Sequence, residues 1–439
     1  MSHSGSVIIK KVQNPVAGSL SFPGDKSLSH RAIIFGSLAE GASHFKNVLP
    51  SADCVSTRGA FEAMGVRMEE GKAAAELTIF GRGLKELKKP SHEIDCGNSG
   101  TTMRLLMGVL AGNHFEATLV GDPSLSKRPM ARVSGPLKEM GASIEGPGHA
   151  NFAPIKIKGG PLKGIHAKLP VSSAQVKSAI LLAGLYAQGQ TQVTEPVKSR
   201  DHTERFLEFF GANVKSEGST VTLVPGTALR AADFEIAGDI SSAAFFMAMA
   251  VLIPQSKISF RNVLWNPTRL GFKRVLERMG VRMENLSTRQ AGPEPAADYT
   301  ISSSGLKAFE ILKEELPALI DEVPILTVLA TQAKGTSVIH EADELRVKET
   351  DRIHSMVSML SKMGAKIHAK KNSIFIEGPT PLSGAHVDSF KDHRTAMSLI
   401  VAGLIAQGQT RVDDLECINT SFPNFFDLLK QVGVGFVNP

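Results

Sequence analysis

The chain has 439 residues, 42% of them hydrophobic and 21% charged, with 40 glycines, 23 prolines and a formal net charge of +6. That length suits two or three domains, and the composition excludes disorder, a collagen-like fibre and a disulfide-stapled miniature fold. The positive charge is scattered among acidic residues rather than gathered in a stripe, and one Trp and two Tyr leave little for stacking bases, so no nucleic-acid partner is expected.

Along the chain, one unit of about 40 residues recurs six times. The copies open near Gly24, Gly97, Ser172, Gly238, Asp321 and Asp392. They close on Met64-Gly65, Met140-Gly141, Phe210-Gly211, Met279-Gly280, Met363-Gly364 and Val432-Gly433. The third copy shows the pattern well. Apolar residues at helical spacing over 174–186 predict a helix, and a short β-branched run at 192–197 predicts a strand. A second helix over 201–210 stops at Gly211, and strands follow at 213–215 and 220–224. The fifth copy repeats the order, with helices at 324–332 and 351–363 and strands at 336–340, 365–369 and 373–377. The fold class is therefore α/β, built from repeated helix–strand–helix–strand–strand units.

The first helix of each unit is nearly free of charge beyond its opening turn, as over 31–38, 178–184, 243–251 and 396–405. A helix apolar on every face is buried in protein or in a membrane. The longest apolar run, 243–253, is too short to cross a bilayer, so no membrane partner is expected. Parallel helices enclosed by sheets are the predicted arrangement, either as one ring of six or as two sets of three. Cys54, Cys96 and Cys417 form no CxxC pair, and no HExxH exists, so no metal is expected. With no apolar stretch of a secretory signal at the start, a cytoplasmic setting is expected.

Polar and basic residues collect at the helix openings: GDKSLSHR (24–31), GNSGTTMR (97–104), SSAQVK (172–177) and DHR (392–394). A helix N-terminus offers unpaired N–H groups and a positive dipole end, which suit an anion. Ser, Asp and Asn also cap helices everywhere, but basic residues at several openings favour a phosphate-rich pocket. GNSGTT lacks the GK[ST] ending of a nucleotide-binding loop. ADELRVKETDR (342–352) adds four carboxylates among three cations, a source of a general acid or base or else a salt-bridged helix start. GDPSLSKRPMAR (121–132) is a further basic loop.

Taken together, PGDKSLSHR, GNSGTTMR, GDPSLSKRP, SSAQVKSA, RDHTE, DEVPIL, LRVKETDR, DHRTAM and TSFP resemble the 5-enolpyruvylshikimate-3-phosphate synthases, a family of enolpyruvyl transferases, over nearly the whole chain. The resemblance implies an inside-out fold of two domains with three units each. The first would span 21–236 and the second 1–20 with 237–439, closing over an active site between them. The implied reaction moves the enolpyruvyl group of phosphoenolpyruvate to the 5-hydroxyl of shikimate 3-phosphate and releases phosphate through a tetrahedral intermediate, with no cofactor. A monomer is expected, because each half supplies its own core. Lys26, Asp321 and Glu349 would be catalytic. Lys26, Ser27, Arg31, Ser172, Ser173, Gln175, Arg200, Asp321 and Lys348 would meet shikimate 3-phosphate. Lys26, Asn98, Gly100, Arg128, Gln175, Arg352 and Arg394 would meet phosphoenolpyruvate.

Two positions depart from the family pattern, and both bear on the response to glyphosate. Thr420 stands where many members carry Lys, and Leu105 stands where Pro is common. The wording SSAQVKSA and RDHTE resembles the branch that includes tolerant members, whereas Gly100 lacks the methyl that crowds the inhibitor in them, so the response stays open between tolerance and sensitivity. Two alternatives use the same fold: transfer to UDP-N-acetylglucosamine, whose enzymes usually present a Cys in the mobile loop that is absent from 121–132 here, and anion binding without catalysis.

Overall fold

The computed structural model describes residues 5–437. They form two compact units, one of Gly24–Ala237 with Gln290–Glu294, the other of residues 5–23, Gly238–Arg289 and residues 295–437. The helix-and-strand repeat read from the sequence is present in each.

Each repeat contributes one core helix. In the 24–237 unit these are Lys26–Leu38, Gly100–Ala111 and Ala174–Gly184. In the other they are Ile240–Leu252, Val323–Gln332 and His393–Ile405. Burial runs unbroken over Leu28–Leu38 in the first and Ile240–Val251 in the fourth, so these helices have no solvent face. Small residues let them approach. A side chain at Gly108 would begin 2.2 Å from the carbonyl oxygen of Ala179, so only glycine allows the second and third core helices to meet there.

Around each trio lie sheets of one design: a parallel pair extended by antiparallel strands. In the third repeat His166–Lys168 runs parallel to Thr191–Thr194, followed by antiparallel Thr220–Val224 and Asn213–Glu217. The strand expected over 192–197 stops at Thr194, because Glu195 turns into the interior and Pro196 has no N–H for the ladder. The fifth repeat copies this order with Glu310–Ile311, Gly335–Ile339, Ser373–Gly378 and Lys366–Lys370. The sixth sheet borrows from the start of the chain. His386–Asp388 runs parallel to Gln409–Asp413, and Ser6–Lys10 pairs antiparallel with the latter, Ser6 opposite Asp413 and Lys10 opposite Gln409. Ile8 then exchanges two backbone hydrogen bonds with Val437.

The repeated stop also has a backbone cause. All six closing glycines, from Gly65 to Gly433, have φ between +86° and +113°, a left-handed conformation that ends the second helix of each repeat.

Candidate functional site

In the 24–237 unit, the three core-helix openings carry the polar residues singled out by the sequence. Asp25 caps the first helix, accepting from the Leu28 N–H at 3.0 Å. Lys26, the next residue, reaches Asp53 at 2.9 Å. Arg31 lies one turn further and is buried. It donates to Thr203 Oγ1 and Ser178 Oγ, both at 2.8 Å, and to the Ser27 carbonyl at 3.0 Å. Burial pushes the Arg31 guanidinium down to about 10, against the pull of Glu204, Asp25 and Glu294, and the nearby charge of Arg200 lowers it further. It remains a cation at neutral pH. Arg200 itself is half-buried ahead of the helix His202–Phe209.

A hydroxyl relay joins the first opening to the second. His30 Nδ1 lies 2.7 Å from Thr57 Oγ1, which lies 2.7 Å from Thr102 Oγ1, which donates to the capping Ser99 at 2.7 Å. At the second opening, the Asn98 amide donates to Asp122 at 2.6 Å and accepts from Arg128 at 2.6 Å. Asn98 thus holds Arg128 in place. A Cβ on Gly100 would sit 2.8 Å from Arg104 Nη1 and 3.5 Å from Arg128 Nη1, so the bare backbone leaves room for guanidinium groups. Gln175, from the third opening, accepts from Arg104 at 2.7 Å and donates to Thr101 at 2.9 Å. Leu105 is fully buried and simply continues its helix.

The third opening is the most heavily braced. Ser173 caps its helix and donates its backbone N–H to Glu195 at 3.0 Å. Ser172 Oγ bridges both backbone groups of Val197, donating at 2.5 Å and accepting at 3.0 Å. Lys177, the cation of SSAQVK, points away from the opening into the interior.

The other unit gathers carboxylates and guanidinium groups. Arg352, 1% exposed, spends each nitrogen on a different acid: Nε on Asp392 at 2.8 Å, Nη1 on Asp321 at 3.4 Å and Nη2 on Glu349 at 2.6 Å. Burial works against that charge, but Asp392, Glu349 and Asp321 outweigh it and hold the guanidinium above its ordinary range. Arg394 donates to the Asp321 carbonyl at 3.1 Å, with its Nε 3.7 Å from the carboxylate. Arg269 completes the ring, 3.8 Å from Asp321 and bonded to Ser241 at 2.6 Å. Asp321 therefore stands among three cations. Lys348 and Glu349 are half-buried on the turn between the short 3-10 helix Asp343–Val347 and the helix that begins at Arg352.

The 342–352 run divides between the two readings it invited. Arg346 and Asp351 form an exposed pair at 2.6 Å, and Asp351 caps the helix, whereas Glu349 and Arg352 enter the cluster. Thr420 donates to the Cys417 carbonyl and lies 3.4 Å from His393 Nδ1, supplying no charge. Spacing along the chain does not reveal Asp53, Glu195 or Arg269, since none belongs to a motif beside its partner. Only the DHR run touched Asp392, as a cap. Among the described residues, no group of three or more His, Cys, Asp or Glu could hold a metal ion, and no helix is long and apolar enough to cross a membrane.

Comparison with known proteins identifies the family. A family model described as EPSP synthase (3-phosphoshikimate 1-carboxyvinyltransferase) matches residues 10–429. A 3-phosphoshikimate 1-carboxyvinyltransferase of Bacillus cereus (strain B4264) is 49% identical over 424 residues, covering 97% of this chain and 98% of the relative. One from Bacillus pumilus (strain SAFR-032) is 49% identical over 419 residues, covering 95% and 97%. Among solved structures, an EPSP synthase from Acinetobacter baumannii superposes with a TM-score of 0.89 at 43% identity, covering 99% of both chains.

Proposed function

The chain belongs to the EPSP synthase family, and from that premise we propose a division of labour among its residues for a 3-phosphoshikimate 1-carboxyvinyltransferase. The enzyme transfers the enolpyruvyl group of phosphoenolpyruvate to the 5-hydroxyl of shikimate 3-phosphate. The hydroxyl oxygen adds to C2 while C3 gains a proton, giving a tetrahedral intermediate. Loss of phosphate from C2 and of a proton from C3 then restores the vinyl group. The chemistry requires two phosphates and a carboxylate to be held beside a proton donor and acceptor, in surroundings where charge is poorly screened.

In this reading Arg31, Ser27, Ser172, Ser173, Gln175 and Arg200 of the 24–237 unit hold shikimate 3-phosphate. Arg128, held by Asn98 beside the open backbone of Gly100, takes phosphoenolpyruvate together with Arg352 and Arg394, and Gln175 contributes to that side too. Planar guanidinium forks suit such anions. Asp321 accepts the proton of the attacking hydroxyl. Glu349, with Lys348 beside it, gives the C3 proton and takes it back, and Lys26 meets both substrates. The observation that carries this reading is that Arg352 reaches both Asp321 and Glu349 while Arg394 reaches Asp321, which puts two guanidinium groups and two carboxylates in one cluster. The proposed setting is the cytoplasm, in keeping with three cysteines that are all free, and the proposed state is a monomer.

Phosphate release from phosphoenolpyruvate tests the assignment when run with shikimate 3-phosphate and, separately, with UDP-N-acetylglucosamine. Release with the first alone is expected, and it should be lost in Lys26→Met and Glu349→Gln. Release with the nucleotide sugar alone, or with neither, would overturn it.

A further inference from the structure

Lys177 is among the largest fully buried side chains, yet it is a cation with no counterpart in the chemistry above. Its ammonium lies 2.7 Å from Glu195 and 2.8 Å from Glu204, with side-chain exposures of 1%, 1% and 5%. Burial opposes its charge, but the two carboxylates more than compensate and raise its proton affinity. Glu204 is pushed up by burial and only partly pulled back by Lys177.

A buried ion pair is a weak source of stability, because desolvation consumes most of the attraction. The connections of this one have a different character. The Glu195 carboxylate accepts the Ser173 N–H at 3.0 Å on one side, and the Ser199 hydroxyl at 2.6 Å and N–H at 3.1 Å on the other. It thereby joins the capping turn of the third core helix to the segment that ends in Arg200. Beside them in the chain, Ser178 and Thr203 hold Arg31. Ser173 and the segment leading to Arg200 are thus fastened to one interior charge cluster, whose members Lys177, Glu195 and Glu204 are all buried.

We infer that Lys177 and Glu195 are positioning residues that set the geometry of the shikimate 3-phosphate subsite, with Lys177 holding the Glu195 carboxylate in the orientation that Ser173 and Ser199 require. The inference rests on the assignment of that subsite to Ser172, Ser173 and Arg200. It predicts a selective defect: loosening the cluster weakens binding of shikimate 3-phosphate and leaves phosphoenolpyruvate, held by other elements, largely unaffected.

The full-length enzyme is tested as Lys177→Met, as Lys177→Met/Glu204→Gln, and as Glu195→Gln. The single Lys177 variant leaves two buried acids uncompensated and is expected to lower the thermal midpoint. The double variant removes the excess charge and should recover much of that midpoint. Under the inference it still shows a KM for shikimate 3-phosphate raised about 10- to 100-fold, the cost of one misplaced charge-assisted contact, with kcat and the KM for phosphoenolpyruvate within about threefold of wild type. Glu195→Gln, which keeps the shape but loses the charge, should shift the same KM in the same direction. Recovery of both midpoint and KM in the double variant would reduce Lys177 to a structural counter-charge and overturn the inference. Equal rises in both KM values would overturn it too. Ser173→Ala and Arg200→Ala separate this from failure of the underlying reading: if neither changes the KM for shikimate 3-phosphate, the subsite itself has been misassigned.

Discussion

Replacing Arg352 tests whether one guanidinium holds the carboxylate cluster together. Its three nitrogens serve three acids, of which Asp392 is completely buried and also caps the sixth core helix through the N–H groups of Arg394 and Thr395. Arg352→Met removes the charge that Asp392, Asp321 and Glu349 share. Breaking a buried ion pair from one side costs about 3–5 kcal/mol, and the inaccessibility of Asp392 puts this site in that range. Arg352→Lys keeps the charge but cannot span three acceptors in three directions. The loss of at least one charge-assisted hydrogen bond costs about 1.5–3 kcal/mol. Urea unfolding followed by circular dichroism should therefore rank wild type above Lys and Lys above Met. Steady-state kinetics of the Lys variant should show the KM for phosphoenolpyruvate raised about 10- to 100-fold. If both variants stay within about 1 kcal/mol of wild type, solvent or neighbouring side chains already satisfy the acids, and the reasoning fails. A Met variant more stable than the Lys variant would refute it in another way, by showing that shape rather than charge matters there.

Asp53→Asn weakens the bond that fixes Lys26, and kcat/KM should fall about 10- to 100-fold with little change in thermal midpoint; unchanged kinetics would dismiss Asp53 as an orienting group. Gly100→Ala sets a methyl against the flexible ends of Arg104 and Arg128, so the fold should tolerate it while the KM for phosphoenolpyruvate rises roughly 3- to 10-fold, the effect of about 1 kcal/mol. An unaltered KM would mean that those guanidinium groups do not face the substrate. His30 is held well below its usual value of 6.5, first by burial and then by Lys26 and Arg31, and its Nε2 has no hydrogen-bond partner among the described residues. The unfolded chain therefore takes up the proton first: stability is full above pH ~6.5 and falls by about 1.4 kcal/mol per unit as the pH drops towards the folded-state value. Denaturation of His30→Gln should lack that part of the slope, and parallel slopes for the two proteins would refute the assignment.

The repeat was legible because its markers are local. A left-handed residue after a helix demands glycine, so Gly65 and its five counterparts appear in the text of the chain wherever a second helix ends. The unbroken apolar lettering of 243–253 likewise has one physical meaning once a membrane is excluded. Caps were readable for the same reason, with Asp25, Ser99, Ser173, Asp239 and Asp392 each adjoining the helix they serve. Partnerships were not. Asp53 finds Lys26 from 27 positions away, and Asp392 finds Arg352 from 40, through packing that no spacing rule encodes. Lys177 illustrates the converse: one turn beyond SSAQ it looks like a member of a basic opening, but helical periodicity turns it inward, and only the buried Glu195 and Glu204 explain how it can stay there.

The sixth sheet has a consequence for the order in which this chain can fold during synthesis. The strand Ser6–Lys10 is made about 400 residues ahead of its partners Gln409–Asp413 and Val437. The sheets of the 24–237 unit draw on that segment alone and can assemble while translation continues. The first-made strand must meanwhile wait with its hydrogen-bonding edges and the apolar side chains of Val7 and Ile9 unmatched. Native closure of the later unit therefore waits until Val437 has been made, and the interval before it is when the nascent protein is most exposed to mispairing or to capture by a chaperone.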